Sequence, residues 1–168
     1  MWIFDATPLM YLAKAEALTH LDALKEPCLI PEPVYDEVVT TGLKHEYPDA
    51  RRVEQRIEED SFDVVTTERT TLFERLDRNP NLSQADVSVL VLAAERDATA
   101  VMDERYGRDV ADTEGIATRG TAFLLLLLVK RDVITKREAR TTIDAMMDQG
   151  WYCAPNLYAQ IIAKLDTL

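Results

Sequence analysis

The sequence predicts an α/β domain whose parallel sheet is covered by helices on both faces. Short apolar runs alternate with helical patterns along the whole chain. Most of these runs are apolar throughout rather than alternating, which is typical of strands buried on both faces. A chain of 168 residues has the size of one domain, and no Gly/Ser-rich linker, repeat or low-complexity segment divides it. We therefore expect one domain over residues 1–168.

Five apolar runs are the candidate strands, so we expect a mostly parallel sheet of four or five strands. They lie at 2–4, 28–30, 62–65, 98–102 and 116–118. The third is expected at an edge of the sheet. Asp5 follows the first run, Thr7 is predicted to cap the next helix, and Pro8 suits the first turn of that helix.

Apolar residues at helical spacing fill the intervals between the candidate strands. The predicted helices lie at 9–13, 18–24, 33–42, 48–60, 72–76, 84–96, 105–114, 123–129, 135–148 and 155–168. Gly42 is expected to end its helix, and Ser83 to cap the helix over 84–96. The Leu-rich segment 123–129 is far shorter than the roughly 20 residues that cross a bilayer, so we expect a core helix and no membrane association.

The net charge of −11 argues against a simple nucleic-acid binder, because such proteins usually carry a basic patch. Two interpretations stay open: adaptation to molar salt in a halophilic archaeon, or an ordinary acidic protein with a metal-binding pocket. Cys28 and Cys153 lack metal-type spacing, so we expect reduced, buried thiols and a cytoplasmic protein. No signal peptide is expected at the start of the sequence.

Four carboxylates are the candidate chemical groups. Asp5 and Asp103 each follow a candidate strand, and parallel strands would place both at the same sheet edge. Glu37 and Asp86 lie near the beginnings of two helices that face this edge. Converging acids raise one another's pKa unless a divalent cation screens them, and oxygen ligands favour Mg²⁺ or Mn²⁺ over zinc. Each acid alone is more often a helix cap or a solvated residue, so the pattern suggests phosphoryl chemistry without establishing it.

Other chemistries have less support in the sequence. His20 and His45 have no partner at metal-ligand spacing. Ser83 and Ser88 have no plausible His and Asp companions for nucleophilic catalysis. Phosphotransfer on an aspartate fits poorly, because no second acid accompanies Asp5 at the first strand.

Several linked motifs occur in the order found in a known family. They are FDATPL at 4–9, IPEPVYDEV at 30–38, ADVSVL at 85–90, DERYGRDVA at 103–111 and GT at 120–121. The chain resembles, over nearly its whole length, the PIN-domain ribonucleases, in particular the VapC-like branch known as DUF3368. Asp86 and Ser88 replace glutamates of that branch and Gly107 replaces an alanine, but no core carboxylate is lost.

The resemblance implies a three-layer α/β/α PIN-like fold with an acidic pocket that binds Mg²⁺ or Mn²⁺. Its catalytic metal ligands would be Asp5, Glu37, Asp86 and Asp103. Glu104 takes the place of a second acid beside the last of these and would assist the metal. Three further residues have supporting roles: Thr7 would orient Asp5 or a water, Arg108 would pair with an acid of the pocket, and Thr121 would serve the turn.

The resemblance also implies a function. We expect a metal-dependent endoribonuclease that hydrolyses RNA phosphodiester bonds and acts as the toxin of a type II toxin–antitoxin system. Its expected partners are a cognate antitoxin protein and a second copy of the chain in a homodimer. Because the surface is acidic, arginines such as Arg51, Arg52 or Arg119 are expected to contact the phosphates. The alternative is a non-catalytic PIN-fold module that binds RNA or protein. Metal affinity would separate the two.

Overall fold

Five parallel strands form the central sheet of this protein, whose computed structural model describes all residues from 1 to 168. Helices cover both faces, so the three-layer α/β/α architecture predicted from the sequence is confirmed. The strands are β1 (Trp2–Phe4), β2 (Cys28–Pro31), β3 (Asp63–Val65), β4 (Thr99–Val101) and β5 (Thr118–Arg119). Their order is β3-β2-β1-β4-β5, which places β3 at an edge as expected.

The strand order creates a switch point beside β1. From β1 the chain goes to β2 and β3 on one side, and then returns to add β4 and β5 on the other. Trp2 is in register with Cys28 of β2 and with Thr99 of β4. The carboxyl ends of β1, β2 and β4 therefore lie side by side, and ligands of open α/β sheets bind in the crevice at such a switch point.

Ten α-helices connect and cover the strands. They are α1 (Ala6–Lys14), α2 (Glu32–Tyr35), α3 (Thr41–Lys44), α4 (Pro48–Glu58), α5 (Thr71–Asp77), α6 (Gln84–Glu95), α7 (Arg105–Thr113), α8 (Thr121–Lys130), α9 (Lys136–Asp148) and α10 (Pro155–Thr167). A short 3₁₀ helix (Leu18–Ala23) follows α1, and a π-helical turn (Asp36–Thr40) joins α2 to α3. No helix is both long enough and apolar enough to span a membrane.

The helix after β2 is longer than its sequence indicates. The prediction that Gly42 ends this helix is wrong, because the helix continues through Lys44. Gly42 is needed for packing instead: a Cβ atom at this position would lie 2.6 Å from the Cβ of Ala50 in α4. The absence of a side chain lets α3 and α4 approach closely.

Helix α6 is the buried helix that links the site to the core. It packs against β1, β2 and β4, and its residues from Val87 to Ala93 are all buried. The predicted N-cap is confirmed, since the Ser83 hydroxyl accepts a hydrogen bond from the Asp86 amide at 3.0 Å. Cys28 and Cys153 are buried free thiols, also as expected.

Candidate active site

Asp5 is the innermost carboxylate of the candidate site. It follows β1 directly, its backbone N–H donates to the carbonyl of Val101 in β4, and its side chain is almost fully buried, with 7% of the residue exposed. Its Oδ1 accepts a hydrogen bond from the Ala6 amide at 2.8 Å and caps α1. The prediction that Thr7 caps this helix is therefore wrong, because α1 begins at Ala6, two residues before the start at Pro8 that a Thr7 cap implies.

Asp103 is held by residues from two other parts of the chain. Its Oδ1 accepts from the Thr121 backbone N–H at 2.7 Å. Its Oδ2 accepts from the Thr121 hydroxyl at 2.7 Å and from the Trp151 indole N–H at 2.9 Å. A Cβ at Gly120 would come within 3.1 Å of Oδ1. These contacts fix the orientation of the carboxylate that follows β4.

Asp86 and Glu37 have fewer protein partners. Oδ2 of Asp86 accepts from the Ser83 amide at 2.8 Å and completes a capping box at the start of α6. Its other oxygen accepts no hydrogen bond from the protein. Glu37 lies in the π-helical turn after β2 and its carboxylate has no hydrogen-bond partner. Turns of this kind occur often at functional sites. Both residues therefore present oxygens that can bind a ligand.

The four carboxylates interact electrostatically. The pKa of Asp5 rises from 3.8 to about 7, mainly because burial disfavours its charged form. The hydrogen bond from Ala6 opposes this increase, whereas the charges of Asp86, Glu37 and Asp103 add to it. Burial and the charge of Asp86 also raise the pKa of Glu37. The fold thus brings together all four carboxylates singled out in the sequence, at the switch point of the sheet.

A comparison with protein families agrees with this architecture. The family model described as DUF3368: PIN domain matches residues 1–167. The chain belongs to the PIN-domain family. Searches of curated proteins and of solved structures gave no match. PIN domains have a nuclease-type fold and are generally hydrolases, so the acidic cluster is the candidate active site of this PIN domain.

The donor set of this PIN domain fits a hard divalent cation. All four groups are carboxylates, and after burial the charges of the other three add to the raised pKa of Asp5. In the present side-chain conformations no three acidic, histidine or cysteine side chains already form a common binding point. Coordination would therefore use the free oxygens of Glu37 and Asp86, whose side chains have the fewest protein contacts.

Two residues assigned supporting roles from the sequence make different contacts. Glu104 caps α7, where its carboxylate accepts from the amides of Tyr106 at 3.1 Å and Gly107 at 2.8 Å. It is not among the groups that raise the pKa of Asp5. Arg108 forms no ion pair within 4.0 Å, so the expected pairing with an acid of the pocket is not made in this structure.

The sequence does not reveal that Thr121 and Trp151 hold Asp103. Thr121 was expected to serve a turn, but both its amide and its hydroxyl bind the carboxylate. Trp151 belongs to none of the motifs and lies 48 residues from its partner. A buried indole N–H needs an acceptor, and this is the only signal that the sequence carries. It does not say which acceptor the tertiary structure will supply.

Proposed function

We propose that this PIN domain is a metal-dependent endoribonuclease that hydrolyses RNA phosphodiester bonds. The observation that supports the proposal is the convergence of three carboxylates, Glu37, Asp86 and Asp103, on Asp5, a buried acid whose pKa is raised to about 7. Such a concentration of negative charge costs stability in the free protein, and a bound divalent cation would offset that cost. Acids with perturbed pKa values at the carboxyl end of a parallel sheet are typical of functional sites.

Four residues would hold Mg²⁺ or Mn²⁺ in this proposal: Asp5, Glu37, Asp86 and Asp103. A divalent cation at such a site supplies a Lewis acid that binds a phosphate oxygen and lowers the pKa of a water. Glu104, adjacent to the last of these ligands, is proposed to support the site from the start of α7. Its two oxygens hold the first turn of that helix and so fix the chain that follows Asp103.

The protein's own residues prepare the site in two ways. Thr121 and Trp151 hold Asp103 in one orientation, so its oxygens are placed before any ligand binds. With its pKa raised to about 7, Asp5 is protonated in about half of the metal-free molecules at neutral pH. Its Oδ1 accepts the hydrogen bond from the Ala6 amide, which leaves Oδ2 without that partner. Because Asp5 would hold a metal as the charged carboxylate, metal binding at about pH 7 should release protons.

The test is cleavage of RNA with and without Mn²⁺. We expect wild-type protein to cleave a mixture of unstructured RNAs only when Mn²⁺ or Mg²⁺ is present. Asp5→Asn should abolish cleavage, while Asp112→Asn, which changes an exposed acid on α7, should leave it intact. Equal cleavage by wild type and Asp5→Asn would assign the activity to a contaminant and contradict the proposal.

The toxin role rests on the resemblance to the VapC-like branch. We propose that the protein acts in a type II toxin–antitoxin pair, forms a homodimer and is neutralised by a cognate antitoxin protein. Induced expression of the wild-type chain should then arrest growth of the host cell, and expression of Asp5→Asn should not. Equal growth of both strains at equal protein levels would contradict the toxin role and leave the nuclease proposal untouched.

A second candidate is a PIN-fold module that binds RNA or protein without catalysis. One observation favours it, namely that no three acidic side chains form a common metal-binding point as they stand. Titration calorimetry separates the two candidates. A nuclease site should lose at least an order of magnitude in Mn²⁺ affinity on Asp103→Asn, whereas a binding module should bind its partner equally well before and after this change.

A further inference from the structure

A groove of about 270 Å³ begins at Asp103 and lies outside the acidic cluster. It is bounded by α8, by α10 and by the segment that joins α9 to α10. Its lining includes Asp103, Arg108, Arg119, Phe123, Tyr152 and Leu157. Asp103 is the only one of the four clustered carboxylates that lines this groove. A molecule bound in the groove would therefore lie next to the candidate active site.

Three of the chain's large exposed apolar or aromatic side chains lie together in this groove. Tyr152 is 84% exposed, Leu157 45% and Phe123 37%, and all three line the groove. Single exposed apolar residues are normal on protein surfaces, but several in one depression mark a binding site. The Tyr152 side chain makes no hydrogen bond with the protein, so its ring is free to contact a ligand.

The groove also carries positive charge that the protein does not neutralise. The chain has 30 acidic and 19 basic residues, yet neither Arg108 nor Arg119 has an acidic partner within 4.0 Å. The guanidinium of Arg119 lies over the ring of Phe123, 5.0 Å from its centroid. The one acid in the groove, Asp103, already accepts hydrogen bonds from Thr121 and Trp151.

We propose that this groove binds one unpaired nucleotide of the RNA substrate, next to the bond to be cleaved; the inference rests on the function proposed above. The base stacks on Tyr152 and on the Arg119–Phe123 pair, because aromatic rings and guanidinium planes are the usual platforms for unpaired bases. Arg108 and Arg119 contact the neighbouring phosphates. A base in a duplex has both faces covered, so the groove selects single-stranded RNA.

The test measures binding separately from cleavage. A fluorescently labelled, unstructured RNA and the same sequence in a duplex are titrated by anisotropy into the Asp5→Asn protein in EDTA, which prevents cleavage. Adding Tyr152→Ala should raise the Kd for the single strand about tenfold, because loss of one base–aromatic stack has an effect of this order. Tyr152→Phe should keep the parent Kd, and the Kd for the duplex should change little.

Two matched controls lie outside the groove. Tyr47→Ala removes another exposed aromatic residue. Arg69→Gln removes the other arginine that lies over a phenylalanine, 5.1 Å from the ring centroid of Phe73. Both control variants should bind single-stranded RNA as the parent does, whereas Arg119→Gln should weaken this binding and reduce its dependence on salt.

Several results would overturn the inference. They are no binding of single-stranded RNA, an unchanged Kd for Tyr152→Ala, or an equal loss on single and double strands. If Leu157→Glu converts a dimer to a monomer in sedimentation without changing the Kd, the groove is a contact between two copies and the inference also fails. The nuclease proposal is tested separately by Mn²⁺-dependent cleavage with the wild-type protein, because the Kd values for RNA are measured in EDTA, where no cleavage occurs.

Discussion

The buried carboxyl group of Asp5 makes the stability of the metal-free protein depend on pH. The unfolded carboxyl loses its proton near pH 3.8 and the folded one near pH 7. Between these values the folded state binds more protons than the unfolded state, so the free energy of unfolding falls as the pH rises and levels off above about pH 7. At 1.36 kcal/mol for each pH unit, the decrease amounts to roughly 4 kcal/mol.

Replacement of Asp5 by Asn removes this dependence. The Asn side-chain oxygen can still accept the hydrogen bond from the Ala6 amide, and Asn is a good N-cap, so α1 should keep its first turn. We expect the stability of Asp5→Asn relative to wild type to increase by roughly 4 kcal/mol between about pH 4 and about pH 8. Effects of the amide that do not depend on pH cancel in this comparison.

Urea unfolding in EDTA, followed by circular dichroism at several pH values, measures the difference. Asp112→Asn removes an exposed acid and should run parallel to wild type. Mn²⁺ should shift the comparison towards wild type: at a hundredfold excess over its Kd, the ion should stabilise wild type by about 2.7 kcal/mol and Asp5→Asn by less. A constant difference between Asp5→Asn and wild type at all pH values would refute the reasoning, since the pKa of Asp5 would then be the same in the folded and unfolded states.

Three further predictions concern residues that support the site or the core. Trp151→Phe removes the indole hydrogen bond to Asp103 and should lower the affinity for Mn²⁺ by roughly 10-fold to 100-fold, as is usual when a residue that holds a metal ligand is lost. Calorimetry measures the affinity. An unchanged affinity would show that this hydrogen bond does not position Asp103. Thr121→Val keeps the backbone hydrogen bond but removes the hydroxyl, and should cost about 1–3 kcal/mol in urea unfolding at neutral pH. Gly42→Ala should cost about 1–3 kcal/mol because its Cβ would lie 2.6 Å from that of Ala50. Adding Ala50→Gly should recover part of that loss, and no recovery would mean that the contact is not the cause.

The local sequence predicted much of this fold because each element carries its own signal. Mostly apolar runs predicted the five strands of the sheet, although β5 overlaps its predicted run, 116–118, only at Thr118. Ser83 could be recognised as a cap, since a hydroxyl followed three residues later by an acid satisfies the amides at a helix start. The positions of Asp5 and Asp103 after two strands also predicted that they meet at one sheet edge, because all parallel strands end there.

Only the tertiary structure decided which side chains come together beyond that edge. Trp151 binds Asp103 because α9 and the segment after it return across α8, and no local pattern encodes such a return. Gly42 resembled a helix end in the sequence, yet it allows close packing against Ala50, a contact between two helices. Periodicity records which face of an element is buried, whereas the identity of each partner depends on the path of the whole chain. Sequence therefore determined the elements and the acidic edge of this PIN domain, and tertiary packing determined the contacts that hold Asp103 and build the groove beside it.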